Sequence, residues 1–292
     1  MTRQSWLKAD NCSAGARHTP TVQNPFSKFF ADRGTHLAAM IAYFALLSFV
    51  PLVFLALSLL GLTGRANESS FLVSELEKAF PDASISRIVK TVRGFQHNAA
   101  TLGIAGGVFL LWSSLSLFSV LESAFNIVYG RPNRPFLHGK ALAVVLLVGS
   151  LITLFVGLLA GSIGYDVLKR FAPGFIGNVY VAYSLSVVVS LGTVLLFLFS
   201  SYYLLTNERL TVREVMPGAI LSALVLEASF QVLPLYLRLA DNTTAVKAFA
   251  APALLLVWLY VMANVIVFGA EINYWLARRG RAAEEVEAPG LA

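Results

Sequence analysis

Charge and cysteine are both scarce in this chain. Only 13% of its 292 residues are charged and 57% are hydrophobic, whereas a soluble domain carries about 25% charged side chains. A soluble globular protein is therefore excluded, and a membrane protein is expected. The single cysteine, Cys12, allows no intrachain disulfide and no CxxC redox or metal pair. No P-loop motif is present, which excludes only an intrinsic nucleotide motor. The histidines, His18, His36, His97 and His138, are scattered, and no HxH, HExxH or paired-carboxylate motif occurs. Phosphodiester hydrolysis needs such groups to hold a metal or place an acid and a base. The many serines sit on apolar stretches, where bonding a backbone carbonyl is their default role, so a Ser-His-Asp triad has no support. No catalytic residue, metal site or cofactor is expected.

What the chain does have is long uncharged runs. Gly34 to Leu62 carries no charged side chain, and as a helix at ~1.5 Å per residue it exceeds the ~30 Å hydrocarbon core of a bilayer. Further runs give an all-α, polytopic membrane protein, a bundle of six transmembrane helices at about 35–62, 101–123, 141–165, 179–205, 215–237 and 250–276. Residues 34–277 form this single domain, between an N-terminal tail at 1–33 and a C-terminal tail at 278–292. The N-terminal tail lacks the early apolar core of a cleavable signal. Its end, NPFSKFFADRG, mixes Phe26, Phe29 and Phe30 with Lys28 and Arg33, a composition suited to a short helix at headgroup level. The connection at 63–100 holds two amphipathic pieces either side of Pro81. One carries Leu72, Leu76 and Phe80; the other carries Ile85, Ile88, Val89, Val92 and Phe95. They are expected to cap the bundle or to lie on the outer membrane surface.

The excess of Lys and Arg, a net charge of +6, suggests nucleic acid until the residues are placed. With the N-terminus inside, Arg131, Arg134, Lys140, Arg209, Arg213 and the cluster Arg278, Arg279 and Arg281 all fall on the cytoplasmic side. Lys169, Arg170, Arg238 and Lys247 are left outside. Topology thus accounts for the basic surplus, both termini are expected in the cytoplasm, and no nucleic-acid partner is expected. Arg131 and Arg134, around Pro132 and Pro135, are candidates for contact with anionic lipid.

Several residues interrupt the apolar pattern. Pro51 removes a helical amide, so a kink is expected, with the freed carbonyl taken by water, a neighbouring helix or a hydroxyl such as Ser48. Gly149, Thr153, Gly157 and Gly161 recur every four residues, which reports close helix packing. Ser116, Ser119, Ser123 and Asn126 form a polar stripe with Glu122 beside it, and lipid forbids that face. Ala219, Ala223, Glu227 and Gln231 line one face of the fifth run, and Asn264 and Glu271 share a face of the sixth. Glu122 and Glu271 lie near helix ends, where pairing with Arg131, Arg134 or Arg278 is the structural alternative to lining a path. Glu227 lies near the middle, with no cation close by on its own helix, and is the main candidate for a transport role. VLESAFNIV at 120–128 echoes VLEASFQVL at 225–233; chance similarity between apolar helices is preferred to an inverted repeat.

The strings AAMIAYFALLSFVPL in the first run, FNIVYG after the second, MPGA entering the fifth and GAEIN in the sixth resemble the YihY/virulence factor BrkB family. Their order carries the resemblance from about Phe26 to Arg279. It implies a six-helix bacterial inner-membrane protein, with an older ribonuclease BN label attached to part of the family and transport of lipid or lipid-A precursors proposed for some members. The expectation is a transporter or flippase of an amphipathic or anionic cargo, with membrane lipids first. The alternatives are a non-catalytic scaffold or assembly factor and, behind it, a membrane-associated ribonuclease.

Overall fold

A computed structural model describes residues 24–62, 99–171, 179–240 and 247–287. The two amphipathic pieces expected at 71–80 and 85–95, and residues 1–23 of the N-terminal tail, lie outside the described residues. Among the described residues there are seven helices and no strand: α1 (Pro25–Ala31), α2 (Gly34–Leu62), α3 (Ala99–Tyr129), α4 (Phe136–Phe171), α5 (Val179–Leu205), α6 (Val212–Ala240) and α7 (Lys247–Glu287).

The short helix foreseen at headgroup level is α1. Asn24 caps it by accepting a hydrogen bond from the Phe26 amide, and Pro25 occupies the first turn, where its missing N–H has no partner to lose. Asp32 and Arg33 then turn the chain, Arg33 at φ 56 in the left-handed region. Gly34 opens α2 because the Phe29 ring lies where its Cβ would be, 2.3 Å away. Phe29 is thereby buried, while Phe26 and Phe30 stay 63% and 67% exposed and face outward with the apolar surface.

α2 continues as helix through Pro51. Ser48 is buried, and its hydroxyl makes no hydrogen bond among the described residues, so it does not take up the carbonyl freed by the proline.

The six long helices overlap the six segments expected as spans, of which four contain a stretch that length and hydropathy mark as a span among the described residues, and in space they follow chain order round a ring that α7 closes against α2. α3 also touches α5 and α7 and so lies nearest the axis. Half of Leu111–Tyr129 is buried, against 22% of Phe136–Thr153 and 17% of Val187–Leu205. Those three stretches and Leu255–Arg281 are each long and apolar enough to cross a bilayer, and Gly34–Phe49 is apolar but shorter. Small residues fill the contacts: Ala38 and Ala42 on α2, Ala124 on α3, Ala219 and Ala223 on α6, Ala263 and Ala270 on α7. Between helices in lipid, association comes from close packing, which small side chains permit. Outward, Val145, Val148 and Ile152 on α4 and Val188 and Leu196 on α5 are exposed, as acyl chains allow and water does not.

Two expectations change. The glycine ladder of α4 is no packing face at its first rungs, because a Cβ at Gly149 would meet nothing within 4 Å, and Thr153 is turned back onto the Gly149 carbonyl. Ala143, Leu146 and Leu147 form the buried face of α4 instead. Gly157 and Gly161 lie where the surroundings of α4 are outside the described residues. The chain after Arg278, expected as a tail, continues as helix to Glu287. Ala282, Ala283, Glu284 and Glu285 favour helix, and Pro289 is the first proline past the span.

Candidate functional site

Most of the polar side chains that interrupt the apolar runs gather at one end of the bundle, where α1 meets the 130–135 and 206–211 turns. α3 ends there in a glycine cap. Gly130 sits at φ 62, its amide bonds the Ile127 carbonyl at 3.0 Å and the Arg131 amide bonds the Asn126 carbonyl at 2.8 Å. This is a Schellman arrangement, in which glycine adopts the left-handed position without a Cβ clash. The Asn126 side chain accepts from the Asn207 amide at 2.7 Å and donates to Asn133, which in turn donates to Ser123. Asn207 donates back to the Pro132 carbonyl. The two turns are thus tied to each other through one buried asparagine.

Glu122 and Arg134 form the pair that the sequence allowed, at 3.6 Å. Arg134 also donates to the Leu205 and Thr206 carbonyls at 2.6 and 2.9 Å, satisfying the C-terminus of α5, where a cation is favoured. Its guanidinium is thus engaged by α3, α5 and the turn that follows α5. Ser119 bonds the Leu115 carbonyl and accepts from Lys140.

Glu271 finds a partner that the sequence did not suggest. Its neighbour is Lys28 of α1, at 3.2 Å, and not Arg131, Arg134 or Arg278. Lys28 also pairs with Asp32, donates to the Val128 carbonyl at 2.6 Å and lies 4.3 Å from the Tyr274 ring centre. Glu271 is fully buried and Lys28 partly so. The signal was present in the α1 string, a lone lysine among three phenylalanines, but nothing local links it to the last helix.

Further out, Arg131 pairs with Glu208, and Arg281 bridges Glu208 and Glu214, at 3.2 Å to each. The Glu214 carboxylate reaches back to the Thr211 amide and hydroxyl at 2.7 and 3.0 Å, the glutamate half of a capping box that starts α6. The Arg131 guanidinium holds the Glu208 carboxyl below the usual carboxylate range. Burial alone would raise Glu214, but the Thr211 bonds and Arg281 bring it below that range too. Beside this network lies a cavity of about 140 Å³, lined by Tyr129, Arg131, Glu208, Tyr274, Arg278 and Arg281.

The motifs at the start of α6 and within α7 meet at a close crossing. A Cβ on Gly218 would lie 2.1 Å from the Gly269 carbonyl, and one on Gly269 would lie 2.0 Å from the Ser222 hydroxyl. Asn273 accepts from the Gly218 amide at 2.6 Å, and Tyr202 of α5 donates to the Ile266 carbonyl at 2.7 Å. MPGA and GAEIN are therefore read by shape as two faces of one contact.

Glu227 stands apart from all of this. It is buried near the middle of α6 and accepts from Ser190 of α5 at 2.7 Å. The Gln231 side chain lies outside the described residues. Asn264 donates to the Tyr260 carbonyl of its own helix. The VLE echo places its two glutamates in unlike settings, one against an arginine at a helix end and one against a serine. Among the described residues, no three His, Cys, Asp or Glu side chains group where they could hold a metal ion.

The profile of the family described as Virulence factor BrkB matches residues 26–290. A ribonuclease-like protein, YfkH, of Bacillus subtilis (strain 168) is 26% identical over 268 residues, covering 89% of this chain and 96% of its own length. A UPF0761 membrane protein of Chromohalobacter salexigens is 27% identical, covering 92% of this chain and 66% of its own length. One from Azoarcus sp. (strain BH72) is 30% identical, covering 84% of this chain and 60% of its own length. The chain thus spans about two thirds or less of these UPF0761 relatives. No solved structure matches.

Proposed function

The chain belongs to the virulence factor BrkB family of membrane proteins, and from that premise we propose that it is an inner-membrane transporter or flippase of an amphipathic or anionic molecule, lipid first. The carrying observation is Glu227, a carboxylate buried near the middle of α6 and bonded across to Ser190 of α5. A charged side chain at the bilayer centre costs roughly 2.5–3.5 kcal/mol on insertion scales and marks a path for ions or substrate more often than a packing contact. Val188 beside Ser190, and Leu224 and Val225 beside Glu227, are exposed, so the polar pair lies one side chain away from the acyl region. The cationic residues support an orientation with the closed end of the bundle, and both termini, in the cytoplasm.

The test is reconstitution into liposomes with labelled phospholipid and lipid-A-like probes, comparing the intact protein, Glu227→Gln and empty vesicles. Protein-dependent transfer, slowed about tenfold in E227Q as one charge-assisted hydrogen bond is weakened, supports the reading. Transfer by folded protein no faster than in empty vesicles overturns it. A scaffold or assembly role is the second reading, favoured by the tied turns that close one end of the bundle. The ribonuclease-like name of the Bacillus relative keeps a membrane-associated ribonuclease as the third reading.

A further inference from the structure

The cavity beside the Arg131–Glu208–Arg281 network contains donors that the protein itself leaves without acceptors. Tyr129 is 8% exposed, and its hydroxyl has no hydrogen-bond partner among the described residues. A phenol buried without a partner gives up hydrogen bonds that water would have made, so natural interiors leave few of them. Arg278 lies across the Tyr274 ring, 5.3 Å from its centre, and has no carboxylate partner among the described residues. The one acidic residue in the lining, Glu208, is bound by both Arg131 and Arg281, so its charge is already compensated. The Tyr129 and Tyr274 rings meet edge to face at 5.6 Å and form an apolar floor beneath the arginines.

We propose that this cavity is a binding site for a phosphate group, held by Arg278 and the Tyr129 hydroxyl with Arg131 and Arg281 at its rim. Guanidinium groups present forked N–H donors that match phosphate oxygens, and a phenol adds a neutral donor from below. The volume, about 140 Å³, is well above the roughly 10–15 Å³ that admits a single water, and leaves room for one phosphate group. The remainder of a larger ligand extends out of the site. The site lies at the same end of the bundle as α1, whose Phe26 and Phe30 are exposed beside Lys28, the composition of a helix that lies at an interface. A phospholipid headgroup and free phosphate share the recognised chemistry. The proposal is independent of transport, since the site is remote from Glu227 and can be occupied whether or not anything crosses the membrane.

The experiment is calorimetric titration of the full-length protein in detergent, with inorganic phosphate in one arm and short-chain phosphatidylglycerol in the other. Wild type, Arg278→Gln and Tyr129→Phe are compared, and each variant is also melted without ligand. We expect saturable binding in at least one arm, weakened about tenfold by R278Q and about fivefold by Y129F. The unliganded melting of Y129F should be unchanged, because the hydroxyl it removes has no partner among the described residues. Binding in both arms identifies the phosphate alone as sufficient, and binding of the lipid only identifies a headgroup; each supports the site. No saturable binding by the wild type in either arm, or binding equal in all three proteins, overturns it.

Discussion

A single methyl group has opposite consequences at different glycines of this protein. At Gly269 it would lie 2.0 Å from the Ser222 hydroxyl, and at Gly218 2.1 Å from a backbone carbonyl that cannot rotate away. Gly218→Ala and Gly269→Ala are each expected to cost about 1–3 kcal/mol, the range for forcing an extra carbon into a filled contact. At Gly149 the same change meets open space, so Gly149→Ala should be neutral or stabilising by up to about 1 kcal/mol, the helix preference for alanine. Melting temperatures of the three purified variants check the contrast, and equal values for all three would refute the close crossing. Lys28 is the second decisive residue. Lys28→Met leaves Glu271 fully buried with its cation removed, an expected loss of about 3 kcal/mol or more. E271Q is expected to cost less, because Lys28 retains Asp32 and the Val128 carbonyl. A double variant more stable than K28M alone would show that the loss is electrostatic.

Among the elements, the turns hold the end of the bundle together, and their acidic residues make that hold sensitive to pH. The carboxyls of Glu208 and Glu214 are held below the usual range in the folded protein. Their contribution is therefore complete above the unfolded value of about 4.3 and is lost as pH falls through the lower folded values. Wild type and E208Q should differ in melting temperature at pH 7, and the gap should begin to close only below the unfolded value of about 4.3 and shrink as pH falls through the lower folded values; a gap that does not shrink in acid would exclude this origin. The helices themselves were legible, because an uncharged run long enough to cross lipid has few other uses. The amphipathic α1 was legible too, from three phenylalanines around a lysine. The identity of its partner was not. Lys28 and Glu271 lie at opposite ends of the chain, and periodicity relates residues within one helix, never between the first and the last. The α4 glycines misled for a related reason: spacing reports a small-residue face and leaves unstated which side of the helix the neighbours occupy.

At the scale of the molecule, the ring order of helices was not read from the sequence, since hydropathy counts segments and does not arrange them. The motifs that marked the family proved informative about shape. MPGA and GAEIN hold the α6–α7 crossing, and FNIVYG supplies both the asparagine that ties the turns and the glycine that ends α3. Glu227 was singled out by its isolation, and its serine partner on α5 could not be foreseen from α6. The ion pair between α1 and α7 has a consequence for biogenesis. Lys28 leaves the ribosome before every helix from α2 to α7 and Glu271 after α2 to α6, so the lysine is without this partner while the intervening helices are made. A chain truncated before α7 can never close that contact, and its Lys28 is left with Asp32 and the Val128 carbonyl alone to hold α1 against the bundle.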